Sequence, residues 1–251
     1  MPCKHPESAP AGRPCRRAAW KMVIAALCLL PVLPAQADLL RHPFSITYEV
    51  HRNDFYLGDS VRHFRQLANG DWQYQSRTTA KGLAGLFFHD TILETSTLRL
   101  QGKRVVPLAY DYQQSGGKDK ESYRINFLWR QHKIYNSRLK KEYKQENKAQ
   151  DEQTNLKQIK RNLQQHQNTM TLSIAARSDA TSYVLTQNGT HKIETPYKTL
   201  NTIELVSNKR KNTDQYRVWC AVALDFMPVR VEKIDSDGNK INFVIKAFKP
   251  E

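Results

Sequence analysis

From Phe44 onward the chain alternates apolar and polar residues at a period of two, in short segments punctuated by Gly, Asn and Asp. Such alternation sends one set of side chains to a buried face and the other to solvent, the pattern of antiparallel β-structure. "FSITYEVHR" leads through "NDFYLGDS" into "VRHFRQL", and "ANGD" then turns the chain into "WQYQSRTTA". Asn69-Gly70 suits the positive φ angles of a tight hairpin turn. "TILETSTLRL", the Gln101-Gly102 turn, "RVVPLAYDYQQ", "ESYRINFLWRQ" and "HKIYNSRL" repeat the theme. Later come "TMTLSIAAR", then "SYVLTQ" with Asn188-Gly189 turning into "THKIETPY", and "KTLNTIELVSN". "QYRVWCAVALDFMPVRVEKID" and, past Asp237-Gly238, "KINFVIKAF" end the series. The pattern predicts a mainly β fold: a curved antiparallel meander or barrel-like sheet of about ten strands, because strands joined by short turns leave no room for crossover helices.

Residues 140–168 break this rhythm. Gln, Lys, Glu and Asn dominate there, and Leu156, Ile159 and Leu163 follow helical spacing in a narrow apolar stripe. One amphipathic helix over about 152–166 is expected, resting on the sheet after a polar linker. A disordered loop is the alternative that such low hydrophobicity allows.

The first residues read as an export signal. "RPCRRAAWK" is basic, "MVIAALCLLPVL" is apolar, and Ala35-Gln36-Ala37 is a small-residue cleavage site, so processing is expected after Ala37. The apolar run over 22–33 is shorter than the roughly 20 residues a membrane-crossing helix needs. Arg16-Arg17 and Cys28 raise twin-arginine export and lipid modification. Leu27 before Cys28 and the position of Cys28 inside the apolar run favour ordinary secretion instead. The expected product is a periplasmic protein with no transmembrane segment, a single β-rich domain over 38–251. Of the cysteines only Cys220 remains in it, so no internal disulfide can form and packing alone must hold the fold.

The chain carries 39 Lys and Arg against 24 Asp and Glu, a net charge of +15. Only Lys4, Arg13, Arg16, Arg17 and Lys21 against Glu7 precede the cleavage site, so a basic surplus persists in the exported part. Such a surface attracts anions, which in the envelope are lipid head groups and cell-wall polymers rather than nucleic acid. A simple solvated surface is the ordinary reading of the same excess.

Motifs for catalysis are absent. No His-x-x-x-His, Cys-x-x-Cys, Gly-x-Ser-x-Gly, P-loop or Gly-x-Gly-x-x-Gly occurs, so no metal, cofactor or catalytic residue is assigned. His89-Asp90 is an isolated pair without further ligands. Cys220 lies in "VWCAVAL", where an apolar setting favours a packed thiol over a nucleophile. The run "KGLAGLFFHD" places Leu83, Leu86, Phe87 and Phe88 beside flexible glycines, as a ligand lip or membrane-touching loop. A turn whose aromatics plug the core is the competing reading.

Trp219, Ala221, Leu224, Phe226, Pro228, Val229, Arg230 and Glu232, followed by Asp237-Gly238, resemble the C-terminal motif of a bacterial family of exported proteins catalogued as domain of unknown function 3108. "YEVHRNDFYLGDS", Glu94-Thr95-Ser96 and "VVPLAYDYQQSGGKDKESYRINF" are similar to it too. The resemblance implies export across the inner membrane of a Gram-negative bacterium and a β-rich domain, with no catalytic residues to carry over. In the motif, Pro228 is expected at a strand edge or bulge, where its missing N–H costs no ladder bond. Arg230 should face opposite to Val229 and Val231, and pair with Glu232.

The function expected is non-catalytic: a periplasmic protein that binds or carries a lipid-like, hydrophobic or anionic envelope molecule in its curved sheet. The alternative is a structural or assembly factor that binds another envelope protein. A weaker one is a glycan or cell-wall hydrolase, which needs two carboxylates, for instance from Asp111, Glu94 or Asp225, converging in one cleft.

Overall fold

The computed structural model describes residues 41–87, 90–102, 104–116, 120–146, 148–175, 177, 180–208 and 214–251. The expected signal peptide over 1–37 lies outside the described residues, as does His89. The first half of the chain forms β1 (Phe44–Arg52), β2 (Phe55–Gln66), β3 (Trp72–Ala80), β4 (Thr91–Gln101), β5 (Arg104–Ser115), β6 (Glu121–Leu128), β7 (Lys133–Asn136), β8 (Lys141–Lys144) and β9 (Ala149–Asp151). A short helix α1 (Gly82–Phe87) links β3 to β4, and α2 (Thr154–Gln164) follows β9. The second half forms β10 (Thr169–Ala175), β11 (Ala180–Ile193), β12 (Leu200–Ser207), β13 (Gln215–Ala221), β14 (Met227–Ile234) and β15 (Lys240–Pro250).

These fifteen strands make one sheet, ordered from β8 down to β1 and then from β15 down to β9. Two meanders thus meet where β1 pairs antiparallel with β15. Only β9 and β10 pair in parallel among the described residues.

The mainly β, curved meander holds, but the described residues form fifteen strands, not about ten. Two features add strands and a third removes one. "QYRVWCAVALDFMPVRVEKID" is two strands, β13 and β14, because Val222–Leu224 forms a 3-10 turn and Asp225 and Phe226 take left-handed φ values of 51° and 58°. The linker expected before the helix holds β8 and β9. Asn188-Gly189, in contrast, is no hairpin: it is a bulge inside the single strand β11, with the register shifting between Gln187 and Thr190.

Inward positions follow the period of two. Phe44, Ile46, Tyr48 and Val50 of β1 are buried, as are Phe64 and Arg62 of β2 and Trp72, Tyr74 and Ser76 of β3. The register carries these faces across the sheet: Ile46, Arg62, Ser76, Glu94, Tyr112 and Tyr123 form one row over β1 to β6. Gly58 of β2 marks a point of close approach, since a Cβ there would sit 2.0 Å from the Thr79 carbonyl oxygen.

Curvature follows from what the helix touches. α2 packs against β5, β9, β10 and β14, strands far apart in the sheet order. A flat sheet cannot reach one helix with all of these, so the sheet wraps around α2. Its two ends also meet: Tyr110, Tyr123, Ile125, Phe127 and Ile134 of β5 to β7 cluster with Ala149 of β9 and Ala175 of β10. Gln150 Nε2 donates to the Val105 carbonyl at 3.0 Å, and the Val105 N–H donates to Gln158 Oε1 at 3.3 Å.

The expected helix therefore exists, but inside the sheet rather than resting on it with a solvated face. Asp151 starts it. Its Oδ1 accepts the N–H groups of Gln153 and Thr154, both at 2.8 Å, while Thr154 Oγ1 accepts the Asp151 N–H at 3.0 Å. This reciprocal cap satisfies backbone donors that a buried helix end cannot leave to water. Burial raises the Asp151 carboxyl to about 6 despite these bonds and a fourth from Ser96 Oγ.

Candidate functional site

Helix α2 divides the interior by chemistry. Ile159 and Leu163 join Met170, Leu172, Ile174, Leu185, Leu205, Val218 and Cys220 in an apolar cluster on the β10 to β13 side. Lys157 and Lys160, fully buried, lie on the same short helix. Lys160 Nζ is bonded to Asp225, whose other oxygen accepts Gln164 Nε2 at 2.8 Å. Lys157 Nζ lies 4.2, 4.7 and 4.0 Å from the ring centroids of Phe44, Phe64 and Tyr74, and has no hydrogen-bond partner among the described residues. Burial pushes its ammonium well below the ordinary lysine range, and the positive charges of Lys160 and Arg62 push the same way.

Between the N-terminal end of α2 and the sheet lies a cavity of about 390 Å³. Ile159, Leu172, Ile174, Leu185, Val218, Val231, Ile241 and Phe243 give it apolar walls. That volume falls within the roughly 300–1,000 Å³ of small-molecule sites. Polar groups gather in the rest of the lining: Arg62, Glu94, Glu152, Gln153, Tyr183, Tyr216 and Lys233.

The two cations there are already engaged. Arg62 stacks over Tyr48 at 4.7 Å and Phe243 at 5.2 Å, and its Nε donates to Ser60 Oγ at 3.4 Å. Lys233 Nζ pairs with Asp214 at 2.8 Å. Glu94 accepts the Tyr110 hydroxyl at 2.8 Å. Glu152 keeps solvent-exposed area while lining the cavity with Glu94. Loss of surrounding water, followed by the negative charge of Glu94, raises its carboxyl to about 7.

The residues singled out in the sequence fall elsewhere. Leu83 is 80% exposed on α1, which packs on β2 and β3, and Leu83 is not part of the cavity lining. Leu86 and Phe87 sit on the same helical backbone, and Phe88 lies outside the described residues. Of the lip expected from "GLAGLFF", Leu83 therefore does not line this cavity. Asp111 points to the outer face and pairs with Arg124 at 2.9 Å, while Asp225 is taken up by Lys160 and Gln164. Of the three carboxylates considered for hydrolysis, only Glu94 lines the cavity.

Within the C-terminal motif, Trp219, Arg230 and Glu232 share the face of β13 and β14 opposite to Val218 and Val231. Trp219 lies opposite Arg230 and has the guanidinium carbons of Arg217 and Arg230 at 4.9 and 5.0 Å from its ring centroid. Glu232 is buried and reaches Arg230 at 3.6 Å, Lys240 at 3.5 Å and Arg217 at 3.8 Å. Pro228 stands opposite Cys220, beside the register shift that leaves Val229 without a cross-strand partner, and its carbonyl accepts the Tyr48 hydroxyl at 2.7 Å. Phe226 packs against the apolar cluster of α2. Cys220 is fully buried, and burial raises its thiol far above the reactive range. The motif is an architectural brace.

Sequence reading missed Arg62, Glu152, Gln153, Lys157 and Lys160. Parity offered one signal: Arg62 shares the inward phase of Ser60 and Phe64. Lys157 and Lys160 each directly follow a residue of the apolar stripe, a position that reads as solvent-facing unless a second wall is known to exist.

No cluster of three or more His, Cys, Asp or Glu placed to hold a metal occurs among the described residues, and no helix there is long and apolar enough to cross a membrane. Residues 47–246 match the model of a family described as a protein of unknown function, DUF3108. None of the curated proteins matches the chain. Among solved structures it is similar to a β-barrel-like protein of domain of unknown function DUF1849 from Brucella abortus. The TM-score is 0.53 at 7% identity, over 84% of this chain and 98% of that one. At that identity the likeness is one of fold.

Proposed function

We propose that this chain, which belongs to the DUF3108 family of proteins of unknown function, is a non-catalytic periplasmic protein that binds a lipid-like or hydrophobic envelope molecule. The observation that carries the reading is the cavity of about 390 Å³ between α2 and the apolar faces of β10, β13, β14 and β15. Apolar walls of that size gain by covering an apolar ligand, at roughly 25 cal/mol per Å² removed from water. The export signal read over 1–37 supports the compartment. The DUF1849 protein supports the curved sheet and says nothing of a ligand.

Filling the cavity tests it. Val218 is 2% exposed and lines the site. Val218→Trp should cut the affinity for the neutral fluorescent probe N-phenylnaphthylamine by about tenfold or more, with a cooperative melt retained. Leu185→Trp, from the neighbouring wall, should do the same. Unchanged probe uptake in both variants would contradict the reading.

Binding another envelope protein is the second reading, and one observation favours it. Phe55 and Leu83 are 77% and 80% exposed, and they occupy one corner of the fold, where Gly82 packs beside the Tyr56 ring. Replacing both by Ser should leave probe binding intact if that corner is only a contact surface.

A further inference from the structure

We infer that the ligand of the cavity carries a hydrogen-bond-donating, positively charged head: an amine-bearing amphiphile whose ammonium is received by Glu94, Glu152 and Gln153. This rests on the binding reading above and adds the chemical class of the head. The argument turns on which lining atoms are uncommitted. Arg62 and Lys233 are donors already held, by Ser60 and two aromatic faces and by Asp214. The acceptors are not. Gln153 is 3% exposed, lines the cavity, and its Oε1 has no hydrogen-bond partner among the described residues. A buried acceptor left unmatched costs about 1–3 kcal/mol, so a ligand that brings a donor gains there what an apolar or anionic head does not.

The carboxylates point the same way. Glu94 takes one bond from Tyr110, while a carboxylate can accept about four. Placed in one lining, Glu94 and Glu152 repel each other, Arg62 beside Glu94 and Lys233 near Glu152 offset only part of that repulsion, and a ligand cation would relieve the rest together with the raised carboxyl of Glu152. The selectivity runs against the background, because the chain as a whole carries +15 and attracts anions.

The acidity of Glu152 supplies a second readout. The groups around it are Glu94 of β4, Asp151 of β9, Lys233 of β14, and the tyrosines Tyr110, Tyr112, Tyr123, Tyr183 and Tyr216 on four further strands. Every one of these tyrosines is raised above its ordinary value and stays neutral near pH 7. Asp151, at about 6, titrates below Glu152, at about 7. An alkylammonium keeps its charge throughout, so its affinity should fall as pH drops from about 8 to about 6 and Glu152 takes up a proton.

Calorimetric titration of the purified protein with dodecylamine, dodecanol and dodecanoate decides it, since the three share one chain and differ in the head. Dodecylamine is expected to bind about tenfold tighter than dodecanoate at about pH 8. Glu152→Gln and Glu94→Gln should each reduce that preference, with dodecylamine losing more affinity than dodecanol. Dodecanoate binding as tightly as the amine, or a preference that survives both substitutions, overturns the inference and leaves the binding reading standing. If none of the three binds, both fall.

Discussion

Asp225→Asn is expected to lower the stability of the fold by about 3–5 kcal/mol, read as a lower midpoint in urea at unchanged slope. Lys160 of α2 is fully buried and its ammonium is bonded to Asp225, which also accepts Gln164. These contacts fasten the helix to the turn between β13 and β14. Removing the negative charge leaves Lys160 a buried cation without its Asp225 counter-charge. Asparagine tolerates the left-handed φ of 51° at this position and can still accept the Gln164 amide. The backbone is therefore not the cause of the loss. A second change should restore most of it: Lys160→Met together with Asp225→Asn removes both charges, and apolar replacement of a buried pair is often neutral or stabilising. A single-variant loss below about 1 kcal/mol would mean that the pair does not hold α2.

Lys157→Met should act in the opposite direction. Lys157 is buried among three aromatic rings with Arg62 and Lys160 as its charged neighbours, both of its own sign. In the unfolded chain its pKa is near 10.4, and in the fold it lies well below the ordinary value. Between those two values the unfolded state binds more protons, so wild-type stability rises with pH across that window. Below the folded pKa the full deficit is present. Methionine carries no proton and fills a similar volume, so the variant should be more stable than wild type near neutral pH, by about 1–4 kcal/mol. That advantage should shrink as pH rises toward about 10.4. The ring faces work against this, since a desolvated cation–π contact is worth about 2 kcal/mol or more. A variant less stable than wild type across the whole range would show that the aromatic cage outweighs the burial cost.

How much of this was legible in the sequence depended on the kind of signal. Period-two alternation identified the strands because each has one buried and one wetter face, and the meander followed from the short turns between them. Strand number failed where the alternation has no break to show: β13 and β14 are joined by an apolar 3-10 turn, "VAL", that reads like strand. At Asn188-Gly189 a hairpin dipeptide serves a bulge instead, with Gly189 at φ 95°. The helix was legible from Leu156, Ile159 and Leu163, but not its place, because Lys157 and Lys160 look like a solvated face. Their burial depends on Phe44, Phe64, Tyr74 and Asp225, which come from distant parts of the chain. The cavity has the same origin: Glu94 and Glu152 lie on β4 and beside α2, and only the closing of the sheet brings them into one lining. Within the conspicuous apolar run "GLAGLFF", local hydrophobicity could not place Leu83, which is 80% exposed and away from the cavity lining.

Native mass spectrometry of the protein, isolated gently from the envelope fraction of cells that express it and paired with extraction of whatever it carries, tests the central claim most directly. The account predicts a bound hydrophobic molecule at one per chain, lost or sharply reduced in Val218→Trp. A protein that emerges bare, and stays bare after incubation with whole-envelope lipid extract, would contradict it.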